Sequence, residues 1–110
     1  MYLNKELAFK AVHKLKESIT DLLGYPVHMV LFGSVARGDF GPESDIDVLI
    51  LLDGPMTRER EDKIMRLAFE IELEDDVVFG LLIESNDDWQ TPLWRAMPIH
   101  QVIDEEGVAV

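Results

Sequence analysis

Asp45 and Asp47 stand one residue apart at the head of an apolar run, Val48-Leu49-Ile50-Leu51-Leu52. In an extended strand, residues two apart point to the same face. The two carboxylates therefore project side by side where the chain otherwise reads as buried. Like charges placed there repel one another and resist losing water. A hard divalent cation relieves both costs, and Mg²⁺ commonly takes one or two carboxylates together with the phosphates of a substrate.

Separated from Asp45 by ten residues, the chain carries Gly33-Ser34, directly after the apolar segment 27–32 and directly before Val35-Ala36-Arg37. Glycine lets a bound group come close to the backbone. Ser34 adds a hydroxyl, and the free N–H groups at the start of a helical turn attract anions. Arg37 offers a guanidinium that pairs with phosphate through two parallel hydrogen bonds, or else pairs with Asp39 or Glu43 to shape the next loop. Together these groups can hold a phosphate beside a cation carried by the two aspartates.

The elements around these groups follow from hydrophobic spacing. Leu7, Ala8, Ala11, Val12, Leu15, Ile19 and Leu22 recur at steps of three and four, which predicts a helix over residues 3–23, ended by Gly24 and Pro26. Residues 27–32 read as a strand, 34–37 as a helical turn and 38–44 as a loop. Residues 45–52 read as a second strand, apolar on both faces after its first three residues and so central in a sheet. Thr57 caps a helix whose buried stripe is Ile64, Leu67, Ala68 and Ile71. A third strand is expected over 77–83, then a short helix around Trp89 capped by Ser85 or Asn86. A final helix is expected over 93–103, strained or delayed by Pro98 and ended at Gly107, with 108–110 offering an edge strand. This order predicts an α/β (α+β) fold: one domain over residues 1–110, a small mixed sheet flanked by helices.

Composition narrows the function classes. The 110 residues carry a formal net charge of −12, which repels phosphate backbones and argues against stand-alone nucleic-acid binding. It favours cation binding or a basic partner. There is no cysteine, so neither a disulfide framework nor a thiolate metal site is available. His13, His28 and His100 show no zinc-ligand spacing. No apolar run reaches membrane-helix length and no signal segment opens the chain, so the expected location is cytoplasmic.

Taken together, Gly33, Ser34, Ala36, Arg37, Gly38, Ser44, Asp45, Asp47 and the apolar strand after them resemble the DNA polymerase β-type nucleotidyltransferase superfamily. Its hallmark is Gly-Ser on a strand-to-helix turn and Asp-x-Asp on the adjacent strand. Within it the chain is similar to the minimal nucleotidyltransferases of prokaryotes, and the ten-residue interval to Mnt-type antitoxins that neutralise a HEPN ribonuclease. The resemblance implies a metal-dependent protein adenylyltransferase that moves AMP from ATP to a hydroxyl of a HEPN-domain partner. Asp45 and Asp47 would bind Mg²⁺, and Gly33 and Ser34, with Arg37, would hold the nucleotide. Two Mg²⁺ ions call for a third carboxylate, which the superfamily places on the strand after the next helix. That strand is free of acids here, so the expected third ligand and base is Asp76, with Asp75 close behind. The alternative is a partner subunit that neutralises the toxin by contact, with weak or no catalysis.

Overall fold

The computed structural model describes residues 3–110; Met1 and Tyr2, at the head of the expected domain, lie outside the described residues. Helix α1 (Lys5–Leu23) begins two residues later than the hydrophobic pattern suggests, because Asn4 caps it: its side chain accepts from the Leu7 amide at 2.9 Å. Its inner stripe, Ala8, Ala11, Val12, Leu15 and Ile19, is fully buried, and Gly24 ends the helix in the left-handed region.

Strand β1 (His28–Phe32) leads into the one-turn helix α2 (Gly33–Arg37), and β2 (Ile46–Leu52) follows the turn-rich loop. Helix α3 (Arg58–Asp75) is capped by Thr57, whose side chain accepts from the Arg60 amide at 3.2 Å. Strand β3 (Phe79–Ser85) and the short helix α4 (Asn86–Trp89) come next, the latter capped by Ser85. The single helix expected over 93–103 is two: α5 (Pro92–Arg95) and α6 (Pro98–Glu106). Each carries proline in its first turn, where the missing N–H costs nothing. Pro98 therefore starts a helix here rather than bending one. The two-residue strand β4 (Val108–Ala109) closes the chain.

The sheet order is β3-β2-β1-β4, with β2 parallel to β3 and antiparallel to β1, and β4 antiparallel to β1. The sheet is thus small and mixed, with β2 between two neighbours as its composition predicts. Ile46, Val48, Ile50 and Leu52 of β2 join the larger core with α1 and α3. Leu49 and Leu51 face the opposite way, onto Trp89 and Ile103, with Trp94 and Ile99 packed alongside. Trp89 is buried and stacks on His100, ring centroids 4.4 Å apart. These two aromatic side chains and Trp94 are packing residues. Period-two alternation puts Asp45 and Asp47 on the Leu49 face, at the N-terminal end of β2.

Strand β3 starts two residues later than expected. Asp76 takes a left-handed conformation (φ 55°) as the C-cap of α3, and the Val77 amide still reaches back to the Glu72 carbonyl at 3.4 Å. Among the described residues, no helix is long and apolar enough to cross a membrane.

Candidate active site

The site forms where the C-terminal end of β1 meets the N-terminal end of β2. Antiparallel register sets Phe32 opposite Asp47, and parallel register sets Gly80 opposite Asp47 from the other side. Asp47 is half-buried and Asp45, just ahead of the strand, is exposed. The strand path extends back to them, since the Ile46 amide donates to the Val78 carbonyl at 2.8 Å.

Two glycines make room for the Asp47 carboxylate. Gly33 sits at φ +75°, and a Cβ there would overlap Asp47 Oδ2 and lie 3.1 Å from its Cγ. A Cβ at Gly80 would come within 2.5 Å of Asp47 Oδ1. Gly33 is thus required twice, by its backbone conformation and by the carboxylate beside it. Gly80 escapes notice in the sequence, although a lone glycine inside a strand pattern is a recognised sign of close approach. Its meaning depends on the β2–β3 register, which sequence alone does not fix.

Burial pushes the Asp47 carboxyl above the ordinary carboxylate range, the neighbouring Asp45 pushes it further, and Arg37 draws it partly back. Among the described residues, no hydrogen bond or ion pair holds either carboxylate. Two like charges, one of them partly stripped of water, are left without a protein counter-donor. Cation binding relieves that arrangement, and the donor set of two carboxylates beside an anion-binding turn fits Mg²⁺ carried with a polyphosphate.

The turn itself is partly taken. The Gly33 amide donates to Glu106 Oε1 at 3.2 Å, and Arg37 Nη1 donates to the same oxygen at 3.1 Å. Arg37 Nε pairs with Asp39 Oδ2 at 3.1 Å, so its expected loop-shaping pair exists alongside the pair with Glu106. Ser34 is half-buried, and its carbonyl accepts from the amides of Gly38 and Asp39. Glu106 was not among the residues singled out by spacing. It lies 73 residues from Gly33 in the chain, and no local pattern marks it.

The acids near β3 are distributed. Asp75 faces α1, where its Oδ1 accepts from Lys14 Nζ at 2.8 Å, while Glu74 takes a second bond from the same nitrogen at 3.0 Å. Asp76 borders a shallow cleft with Leu3, Glu43 and Ser44, on the Ser44 side of the strand ends. Glu84 pairs in register with Leu51, four residues past Gly80, roughly 13 Å along the strand. Among the described residues, no three His, Cys, Asp or Glu side chains gather as a metal-holding group. Asp45 and Asp47 therefore come together with Gly33 and Arg37, and Asp76 stands to one side of them.

A nucleotidyltransferase domain family matches residues 12–101 of the chain. MJ0604 of Methanocaldococcus jannaschii, described as a candidate protein adenylyltransferase, is 34% identical over 107 residues, which is 96% of each chain. MJ0141 of the same organism, described in the same words, is 36% identical over 73 residues, 66% of this chain and 74% of its own. Among solved structures, a crystal structure of a toxin–antitoxin with AMP-PNP superimposes over 97% of this chain and 72% of that one. The TM-score is 0.55 at 20% identity, a likeness of fold.

Proposed function

Because the chain belongs to the nucleotidyltransferase domain family, we propose that it transfers AMP from ATP to a side-chain hydroxyl of a partner protein, as the antitoxin of a HEPN ribonuclease. The observation that carries this reading is the Asp47 carboxylate, seated between Gly33 and Gly80 with Asp45 beside it and, among the described residues, no hydrogen-bond donor on either. On this reading Asp45 and Asp47 hold Mg²⁺, and the Gly33 amide, Ser34 and Arg37 hold the triphosphate. The ion, when bound, neutralises charge on the phosphates and on the departing pyrophosphate.

The chain's own part is mainly positioning, as phosphoryl-type transfer requires. The Gly33 turn orients the triphosphate so that the acceptor oxygen attacks the α-phosphorus. The new bond is oxygen to α-phosphorus. The bond that breaks joins the α-phosphorus to the bridging oxygen of the β-phosphate, and pyrophosphate leaves. The hydroxyl proton needs a carboxylate to receive it, and the residue proposed for this is Asp76, which would have to act from the Ser44 side of the aspartate pair. A second ion would also need that carboxylate. The names given to MJ0604 and MJ0141, and the nucleotide analogue and toxin–antitoxin named in the structural relative, support the donor and the acceptor class.

A protein partner suits the surface as well. Met65, Phe69 and Leu73 recur at steps of four on α3 and are 49%, 57% and 70% exposed. A large apolar stripe left in water commonly marks an interaction site. Soluble, cytoplasmic action beside such a partner completes the reading.

A contact-only antitoxin is the second reading, favoured by the acid-free middle of β3 and by Asp76 standing apart from the aspartate pair. One experiment separates the two. The chain, Mg²⁺, ATP and the product of a neighbouring HEPN gene are incubated together, and intact masses are recorded. The enzyme predicts addition of one or more AMP units to the partner, abolished by Asp45→Asn. Tight association with no change of mass supports the contact-only antitoxin and defeats the transferase.

A further inference from the structure

Resting on that reading of the site, we propose that Glu106 is a built-in competitor of the nucleotide, a carboxylate that occupies the triphosphate's donors until the triphosphate displaces it. Its Oε1 accepts from both the Gly33 amide and Arg37 Nη1, at 3.2 and 3.1 Å. Gly33 lies against the Asp47 carboxylate, and Arg37 acts on its charge. A carboxylate oxygen and a phosphate oxygen make the same demand on such donors, so the two cannot be bound there together.

The seat is a replaceable one. Glu106 is the last residue of α6, whose final turn carries no basic residue. A negative charge at a helix C-terminus is disfavoured by the helix dipole. Among the described residues, the donors at Gly33 and Arg37 alone offset that cost, and the Glu106 side chain keeps 22% of its surface open. The backbone on either side is anchored. The Gly107 amide donates to the Ile103 carbonyl at 2.8 Å, β4 pairs with β1, and the Val110 amide reaches Met29. Rotation of one side chain therefore vacates the site, with α6 and β4 staying in place.

The consequence is an affinity set below what the donors could deliver. If the carboxylate occupies them about nine-tenths of the time, the apparent Kd is loosened about tenfold. A polyphosphate with its metal, which supplies several charged oxygens at once, displaces Glu106 more readily than a monophosphate does.

The test is equilibrium binding of a non-hydrolysable ATP analogue with Mg²⁺ to wild type, Glu106→Ala and Glu105→Gln. Glu105 is exposed at the same helix end and makes neither contact, so its variant controls for the loss of one negative charge. The expected result is a Kd about 5- to 10-fold tighter for Glu106→Ala and within about twofold of wild type for Glu105→Gln. In the ligand-free protein, the Gly33 amide proton resonance should shift in Glu106→Ala alone. Equal tightening in both variants, an unchanged Kd, or a weaker one for Glu106→Ala overturns the competitor while wild-type binding leaves the nucleotide site standing. No binding by any of the three proteins overturns the site and the competitor together.

Discussion

Asp47→Asn should lower nucleotidyl transfer by about 10³-fold and leave the fold at neutral pH more stable than wild type. The activity loss follows from removing one of the two charges proposed to hold the ion. The gain in stability follows from the sign of the Asp47 shift. Burial, and then Asp45, raise its carboxyl in the folded chain, with Arg37 opposing. As pH rises, the unfolded chain gives up this proton first, and folding loses free energy through the interval between the two pKa values. The penalty is complete above the folded value and absent below the unfolded one. An amide of the same shape carries no such penalty. Thermal melts should therefore place Asp47→Asn above wild type at neutral pH and level with it in acid below the carboxylate range. A variant that loses activity and stability together at neutral pH would show Asp47 to be a structural residue.

Gly80→Ala should reduce transfer by about 10²-fold, because its methyl group meets Asp47 Oδ1 and the carboxylate cannot retreat toward Gly33. In an otherwise native chain, the crowding should cost about 1–2 kcal/mol. The φ of Gly80 is not positive, so alanine suits the strand itself. Placed in Asp47→Ala, the same substitution should then be neutral or stabilising by about 0.5–1 kcal/mol. Urea titrations of the four proteins measure the coupling directly. Equal destabilisation in both backgrounds would mean that Gly80 is required by something other than the carboxylate.

These two residues also mark the limit of what is legible before folding. The Asp45/Asp47 pair and the Gly33 turn are readable because their chemistry is local. An acid alternation meets an apolar strand, and a glycine lies between strand and helix. The helices over 5–23 and 58–75 are legible for the same reason, through spacing and, in the second, through the cap at Thr57, while the Asn4 cap moves the start of the first two residues past the apolar pattern. Gly80 and Glu106 act through long-range neighbours, one by strand register and one by a contact across 73 residues, so spacing does not reveal what either one meets. The late start of β3 belongs to the same class. Val77 and Val78 are as apolar as the strand they precede, but they follow the left-handed cap at Asp76, and the Val77 amide is still bonded back to the Glu72 carbonyl. Pro98 shows the opposite failure. A proline read as a disturbance within one helix is the first residue of another, a choice that depends on the chain turning at Met97 to pack His100 against Trp89.

The idea that a metal–triphosphate complex sits between the aspartate pair and the Gly33 turn meets its most direct test in a crystal of the chain grown with Mn²⁺ and a non-hydrolysable ATP analogue. Anomalous scattering locates the ion independently of the protein. The account predicts a peak touching both Asp45 and Asp47, with phosphate oxygens at the Gly33 amide and the Glu106 side chain turned away. An ion bound elsewhere, or a nucleotide held with both aspartates in water and Glu106 still on Gly33, would contradict it.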